Sequence, residues 1–313
     1  MRTVIEPGKK RKSINFLDSI VYSEVKDPDN EPIKLEMSIM LQNGNSEMRL
    51  AAGVTDEEDK SPKPCIVWIP GGGYRGCDKN LMVAEMAFLA DAGYVVASIY
   101  YRSSAEGHMP DQIVDVKTAI RFLRAHADEY EIDKEQIGVI GRSAGGHLAA
   151  LAAMNADDFH GDEWKEESDE VQACVDLFGP VDIPWLLKYE ESVYNKAPEC
   201  YRWKNVAESH GGAVMGGDYN EDMIKRAEKV SPPYLISDKM SPIMIMHGDI
   251  DKLVPVDVSE EFYRKIVEKG LEEKAELYIL RNAGHGTRDF FQDSVKKLIL
   301  EFFDSHLKVN FQS

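Results

Sequence analysis

Cysteine is scarce in this chain of 313 residues: there are four, Cys65, Cys77, Cys174 and Cys200. They form no C-x-x-C pair and no zinc-ligand spacing, so neither a disulfide framework nor a structural zinc site is expected. Cys65 and Cys174 fall in apolar runs, where a free thiol serves as a small core residue. No apolar run approaches the ~20 residues needed to span a bilayer. The basic opening stretch is not followed by an apolar segment, so no secretory signal is expected. Positive charge is also in deficit, with 37 Lys+Arg against 55 Asp+Glu and a formal net charge of −18. Such a field repels phosphate backbones and anionic lipid, which argues against nucleic acid or a membrane as partner. There is no H-E-x-x-H and no EF-hand spacing, and the acidic stretch 157–170 lacks the glycine and ligand rhythm of a calcium loop. No metal and no cofactor are expected. These absences together predict a soluble, cytoplasmic protein acting on a small molecule or an oligosaccharide.

What is present is ordinary globular composition, 43% hydrophobic and 29% charged, over a length that suits one large α/β domain. Two alternating segments, 15–25 and 32–42, flank the turn-rich Asp27-Pro28-Asp29-Asn30 and predict an antiparallel hairpin. The acidic stretch 56–59 reads as a solvated loop. Beyond it the texture changes to short, nearly continuous apolar runs at 64–70, 94–101 and 137–141, as expected of parallel strands buried on both faces. Helical patterns lie between them, at 80–92, 111–130 and 143–154. The alternation resumes with strands at 173–179, 242–248 and 275–280 and helices near 256–269 and 289–307. Strand alternating with helix predicts right-handed crossovers and a doubly wound, mostly parallel sheet. Between the strands ending at Gly179 and starting near Pro242 lie about sixty residues, against about 2–6 for an ordinary connection. They hold Trp185, Tyr189, Tyr194, Tyr201 and Trp203. The expected organisation is therefore a single domain, 1–313, with a cap or lid inserted at about 180–240. The rings serve that insertion as its own small core or face a ligand.

Gly141-Arg142-Ser143-Ala144-Gly145 fits G-x-S-x-G, placed directly after an apolar strand and directly before a helical run. A serine in such a turn projects its hydroxyl above the carboxyl edge of the sheet, and small neighbours permit the tight backbone. The helix N-terminus aims N–H groups and a dipole at the same point, where a developing oxyanion would sit. A serine hydroxyl needs a base to become a nucleophile. His285, in the glycine-flanked loop Gly284-His285-Gly286 after a late strand, is placed to serve. His306 reads as a surface residue on a helix, and His247 as a strand end orienting the next turn. The acid is expected from the loop after His247; Asp251 is chosen, with Asp249 in reserve. Pro70-Gly71-Gly72-Gly73-Tyr74 follows the first parallel strand, and Gly72 and Gly73, with the N–H of Ala144, are the expected oxyanion donors. Candidate substrate contacts are Tyr74, Arg142, Trp185 and Trp203. Arg142, beside the nucleophile, suits either an anionic substrate group or a partner carboxylate, the second being the commoner use of such a cation.

As an ordered set these motifs resemble the α/β-hydrolases, in particular the acetyl-esterase/feruloyl-esterase-like branch near the hormone-sensitive-lipase group. The residues that carry the resemblance are Pro70 to Tyr74, Tyr101-Arg102-Ser103 and the run 115–124. They continue with 141–148, 241–248, 251–255 and 284–286. The resemblance covers about 64–307 and implies Ser143 as nucleophile, Asp251 as acid and His285 as base. It implies a serine carboxylesterase of short-acyl esters, acetyl esters of carbohydrates or small aryl esters among them. An amide or peptide hydrolase of formamidase or dipeptidyl-peptidase type shares the triad, and a non-catalytic hydrolase-fold binding protein is a third reading. Two departures stand out: Pro70 where the family often has histidine, and Arg at position 142. His147, on the helix after the serine, is read as structural.

Overall fold

A computed structural model describes residues 2–5, 13–42, 61–193 and 203–308. The acidic stretch 56–59, Tyr194, Cys200 and Tyr201 lie outside the described residues. The expected hairpin is β1 (Ile14–Lys26) and β2 (Pro32–Gln42), paired antiparallel around the Asp27 turn. The Asp27 side chain and carbonyl accept from Glu31 N–H and Asn30 N–H, which closes that turn. Six further strands follow: β3 (Lys63–Ile69), β4 (Val95–Ile99), β5 (Ile132–Arg142), β6 (Ala173–Leu177), β7 (Ile243–Gly248) and β8 (Ala275–Leu280). Among the described residues they form one sheet in the order β1-β2-β4-β3-β5-β6-β7-β8. It is parallel from β4 to β8, and β2 joins β4 antiparallel.

The unbroken apolar runs have a direct cause: both faces of the sheet are covered. Cys65, Val67 and Ile69 of β3 point into one core layer, while Ile66 and Trp68 point into the other. The same alternation separates Ile243 and Ile245 from Met244 and Met246 on β7. The first layer is filled by α2 (Asp111–Ala125), α3 (Ala144–Ala153) and α7 (Asp257–Glu268), the second by α1 (Ala87–Asp91) and α8 (Asp293–Leu307). Burial pushes the Cys65 and Cys77 thiols up to about 12, as befits core residues. No helix among the described residues is long and apolar enough to cross a membrane.

Three helical expectations need correction. The pattern at 80–92 yields only a 3-10 turn and the short α1. Asp78 accepts from Asn80 N–H, the Asn80 side chain accepts from Ser38, and Met82 takes φ 59; local side-chain bonds of this kind compete with the helix ladder. The helix from 111 stops at Ala125, where the His126 ring bonds the Phe122 carbonyl. The last helix starts at Asp293, after a 3-10 turn over Arg288–Phe291. The insertion between β6 and β7 carries α4 (Ile183–Val193), α5 (His210–Met215) and α6 (Glu221–Lys229).

Candidate active site

Ser143 sits between β5 and α3 at φ 52, ψ −124, a region a non-glycine residue occupies only under constraint from its surroundings. The constraint is visible. Ser143 N–H donates to the Leu177 carbonyl at 2.8 Å, and its own carbonyl accepts from His147 N–H at 3.1 Å. A Cβ on Gly145 would stand 2.0 Å from the Ile69 carbonyl oxygen, and one on Gly141 would stand 2.0 Å from that of Gly145. The small residues of the motif are therefore a packing requirement, because strand and helix meet here with no room for a side chain.

Two loops at the same edge of the sheet bring the other groups. His285, after β8, accepts from the Ser143 hydroxyl at Nε2 over 2.8 Å and donates from Nδ1 to Asp251 Oδ2 over 2.7 Å. The other Asp251 oxygen accepts from the N–H groups of Leu253 and Val254. Burial alone would raise the Asp251 carboxyl; bonds from His247 and His285, the charge of His285 and the Val254 N–H outweigh it and hold the group below the usual carboxylate range. His247 has the orienting role expected of it: its ring bonds Ser259 Oγ and the Val254 carbonyl and lies 3.4 Å from Asp251. Asp249, the reserve acid, instead accepts from Asn282 N–H at 2.6 Å and fixes the loop that carries His285. His306 stays on its helix against Phe302.

The glycine loop after β3 lies alongside. Gly73 and Tyr74 have φ 59 and 60, and Gly72 has φ 154. Neither the Gly72 nor the Gly73 N–H has an acceptor among the described residues, and Ala144 opens α3, where N–H groups lack helical partners. All three line one cavity with Ser143 and His285. The loop opens with Pro70 and is held by hydrogen bonds from its neighbours. The Tyr101 hydroxyl donates to the Pro70 carbonyl at 2.9 Å, and Ser104 N–H donates to that of Tyr74. The adjacent Arg102 makes a buried two-pronged pair with Asp115, Nη2 to Oδ1 at 2.7 Å and Nε to Oδ2 at 2.9 Å.

The cavity holds about 730 Å³. Of the candidate substrate contacts, Trp203 and Arg142 line it. Tyr74 does too, but its ring is 1% exposed and its hydroxyl donates to His147 Nδ1, so it pins the loop to α3 and is not free for a ligand. His147 is structural as expected: its Nε2–H donates to the Val230 carbonyl, and burial lowers its pKa to about 4. Trp185 does not line the cavity; it stacks at 5.2 Å on Tyr189, which does. The expected carboxylate partner of Arg142 is also absent among the described residues. Its guanidinium meets Met82 Sδ and lies 6.0 Å from the Phe178 ring centroid, and its Nε has no partner.

Sequence reasoning missed Glu190 and His210, which the insertion delivers to the cavity wall. Glu190 is buried and accepts from the Ser209 hydroxyl and the N–H groups of His210 and Gly211. His210 lies edge-on to Trp203, its ring centroid 5.3 Å away, and its Cδ2 stands 2.4 Å from where Gly73 would carry a Cβ. The available signal was a Ser-His-Gly-Gly run inside an aromatic insertion, but no spacing rule links it to Glu190.

Comparison with known proteins places these features in context. The BD-FAE family model matches residues 54–266. Two Mycobacterium tuberculosis proteins, esterase LipC and the probable carboxylic ester hydrolase LipM, are each 31% identical to this chain. The match to LipC covers 72% of this chain and 53% of LipC; that to LipM covers 64% and 44%. The chain thus spans about half the length of these curated relatives. A solved structure, described as a truncated form of a carbohydrate esterase from gut microbiota, superposes with a TM-score of 0.73. It is 25% identical, with 96% of this chain and 98% of that one covered.

Proposed function

This chain belongs to the BD-FAE family, and from that premise we propose that it is a serine carboxylesterase of short-acyl esters, acetylated carbohydrates and small aryl esters among them. The observation that carries the reading is the unbroken chain of short hydrogen bonds from Asp251 through His285 to Ser143, opening into a cavity. His285 Nε2 takes the Ser143 proton as Oγ attacks the ester carbonyl. The carbonyl π electrons move to oxygen, and the N–H groups of Gly72, Gly73 and Ala144 stabilise that charge. The C–O bond to the alcohol breaks, and His285 returns the proton to the leaving oxygen. Water, deprotonated by the same imidazole, then attacks the acyl-enzyme; the acyl C–O bond to Ser143 breaks, the imidazolium returns the proton to Oγ, and the acid leaves. Asp251 stays ionised throughout and stabilises the imidazolium. Tyr189 and Trp203 on the cavity wall offer faces on which a sugar or aryl ring can stack. The names of the relatives support ester hydrolysis, and the likeness to a carbohydrate esterase supports a carbohydrate ester.

The test is hydrolysis of a p-nitrophenyl ester series from acetate to decanoate by the wild type and Ser143→Ala. Turnover strongest at acetate or butyrate and lost in the variant is the expected result. Activity indifferent to Ser143, or confined to a matched amide, would overturn the reading.

A further inference from the structure

Arg142 is the residue next to the nucleophile, half-buried and among the residues that line the cavity. Cations that fold into a protein interior normally meet a carboxylate, because an unpaired buried charge is costly. Arg142 meets none among the described residues: its polar contact is a methionine sulfur, one ring face lies nearby, and Nε is buried without a partner. Burial lowers its pKa, and no neighbouring charge offsets that effect. The acid on the same wall, Glu190, is already bonded to Ser209, His210 and Gly211. Lys252 adds a second cation at the exposed rim, on the loop just after Asp251. A chain with a net charge of −18 thus places at this cavity two cations that have no carboxylate partner among the described residues.

Resting on the esterase reading, we infer that Arg142 is a specificity-determining residue that binds a carboxylate of the substrate, so that the preferred esters are acidic. The missing partner of the guanidinium is then supplied by the ligand. A planar fork with five donors matches a carboxylate in a way that a hydroxyl or an aliphatic chain does not.

Two pairs of esters test this, each matching a carboxylate with its uncharged amide: monoethyl succinate against ethyl succinamate, and O-acetylglycolate against O-acetylglycolamide. The first pair carries the charge on the acyl side, the second on the alcohol side. In the wild type the charged member of at least one pair is expected to have the higher kcat/KM, with the preference shrinking as salt rises. In Arg142→Gln the charged-to-neutral ratio in that pair should fall about 10- to 100-fold, the range for loss of a charged hydrogen bond; Arg142→Lys should restore part of it. A wild type with no preference for the charged member of either pair overturns the inference without any variant. So does a preference that survives in Arg142→Gln. Ser143-dependent hydrolysis of the neutral members reports separately on the esterase reading, so that failure of one is not mistaken for failure of the other.

Discussion

Ser143 holds a backbone conformation that only its neighbours make tolerable, and those neighbours define what can be changed. Replacing Gly145 with alanine drives a Cβ to 2.0 Å from the Ile69 carbonyl oxygen and 2.6 Å from that of Pro70. Neither is a flexible side-chain end, so strand or helix must shift. We expect a loss of stability at or above the ~1–3 kcal/mol typical of overpacking, with loss of ester turnover, read by thermal melting and by the ester assay. Asp251 supports a second expectation. Its carboxyl is held below the usual carboxylate range, so it is ionised at neutral pH and accepts from His285 Nδ1. Asp251→Asn should lower kcat by about three to four orders of magnitude, because an amide no longer fixes the working tautomer.

At the scale of elements, the meeting of Ser143 and His285 was legible in the sequence because each sits on a turn or loop with its own signal, while for the acid the sequence narrowed the choice only to Asp249 and Asp251. G-x-S-x-G stands between an apolar strand and a helix, and glycines flank His285. The strands were legible because burial on both faces leaves continuous apolar runs. The helix expected at 80–92 was not, because Asp78 and Asn80 bond locally and Met82 turns left-handed. The cavity wall was only half legible. Aromatic density marked the insertion, but that Trp185 backs Tyr189, and that Glu190 joins α4 to the start of α5, depends on how the helices pack. Glu190→Ala would leave the Ser209 hydroxyl and the Gly211 N–H without their acceptor, at about 1–3 kcal/mol for a buried group. The expected outcome is faster proteolytic cleavage within the insertion and a several-fold higher KM, with the sheet intact by circular dichroism. Unchanged cleavage and KM would show that this carboxylate does not hold the wall.

For the molecule as a whole, the same two-sided burial that makes the sheet stable also encloses polar groups behind the nucleophile. Asp176, in β6, is fully buried; burial raises its carboxyl to about 7, the charge of His247 and the Gly179 N–H only partly offsetting this. In the unfolded chain the same group titrates near 3.8. Between these values the native state binds the extra proton, so this residue's contribution to stability is full below about pH 4 and is lost as pH rises toward 7. Asp176→Asn keeps an oxygen to accept from Gly179 and removes the titration. Its melting temperature should gain on the wild type progressively from about pH 4 to 7; a constant difference across that range would contradict the assignment.

The three candidate reacting residues follow strands that the chain lays down at different times: Ser143 follows β5, Asp251 follows β7 and His285 follows β8, which lies at one edge of the sheet. A ribosome therefore completes the serine turn long before it makes either partner. Until β8 docks beside β7, the emerging polypeptide carries an alcohol with nothing to deprotonate it. On the esterase reading, the order of synthesis and the closing of the sheet together set when the serine meets its base.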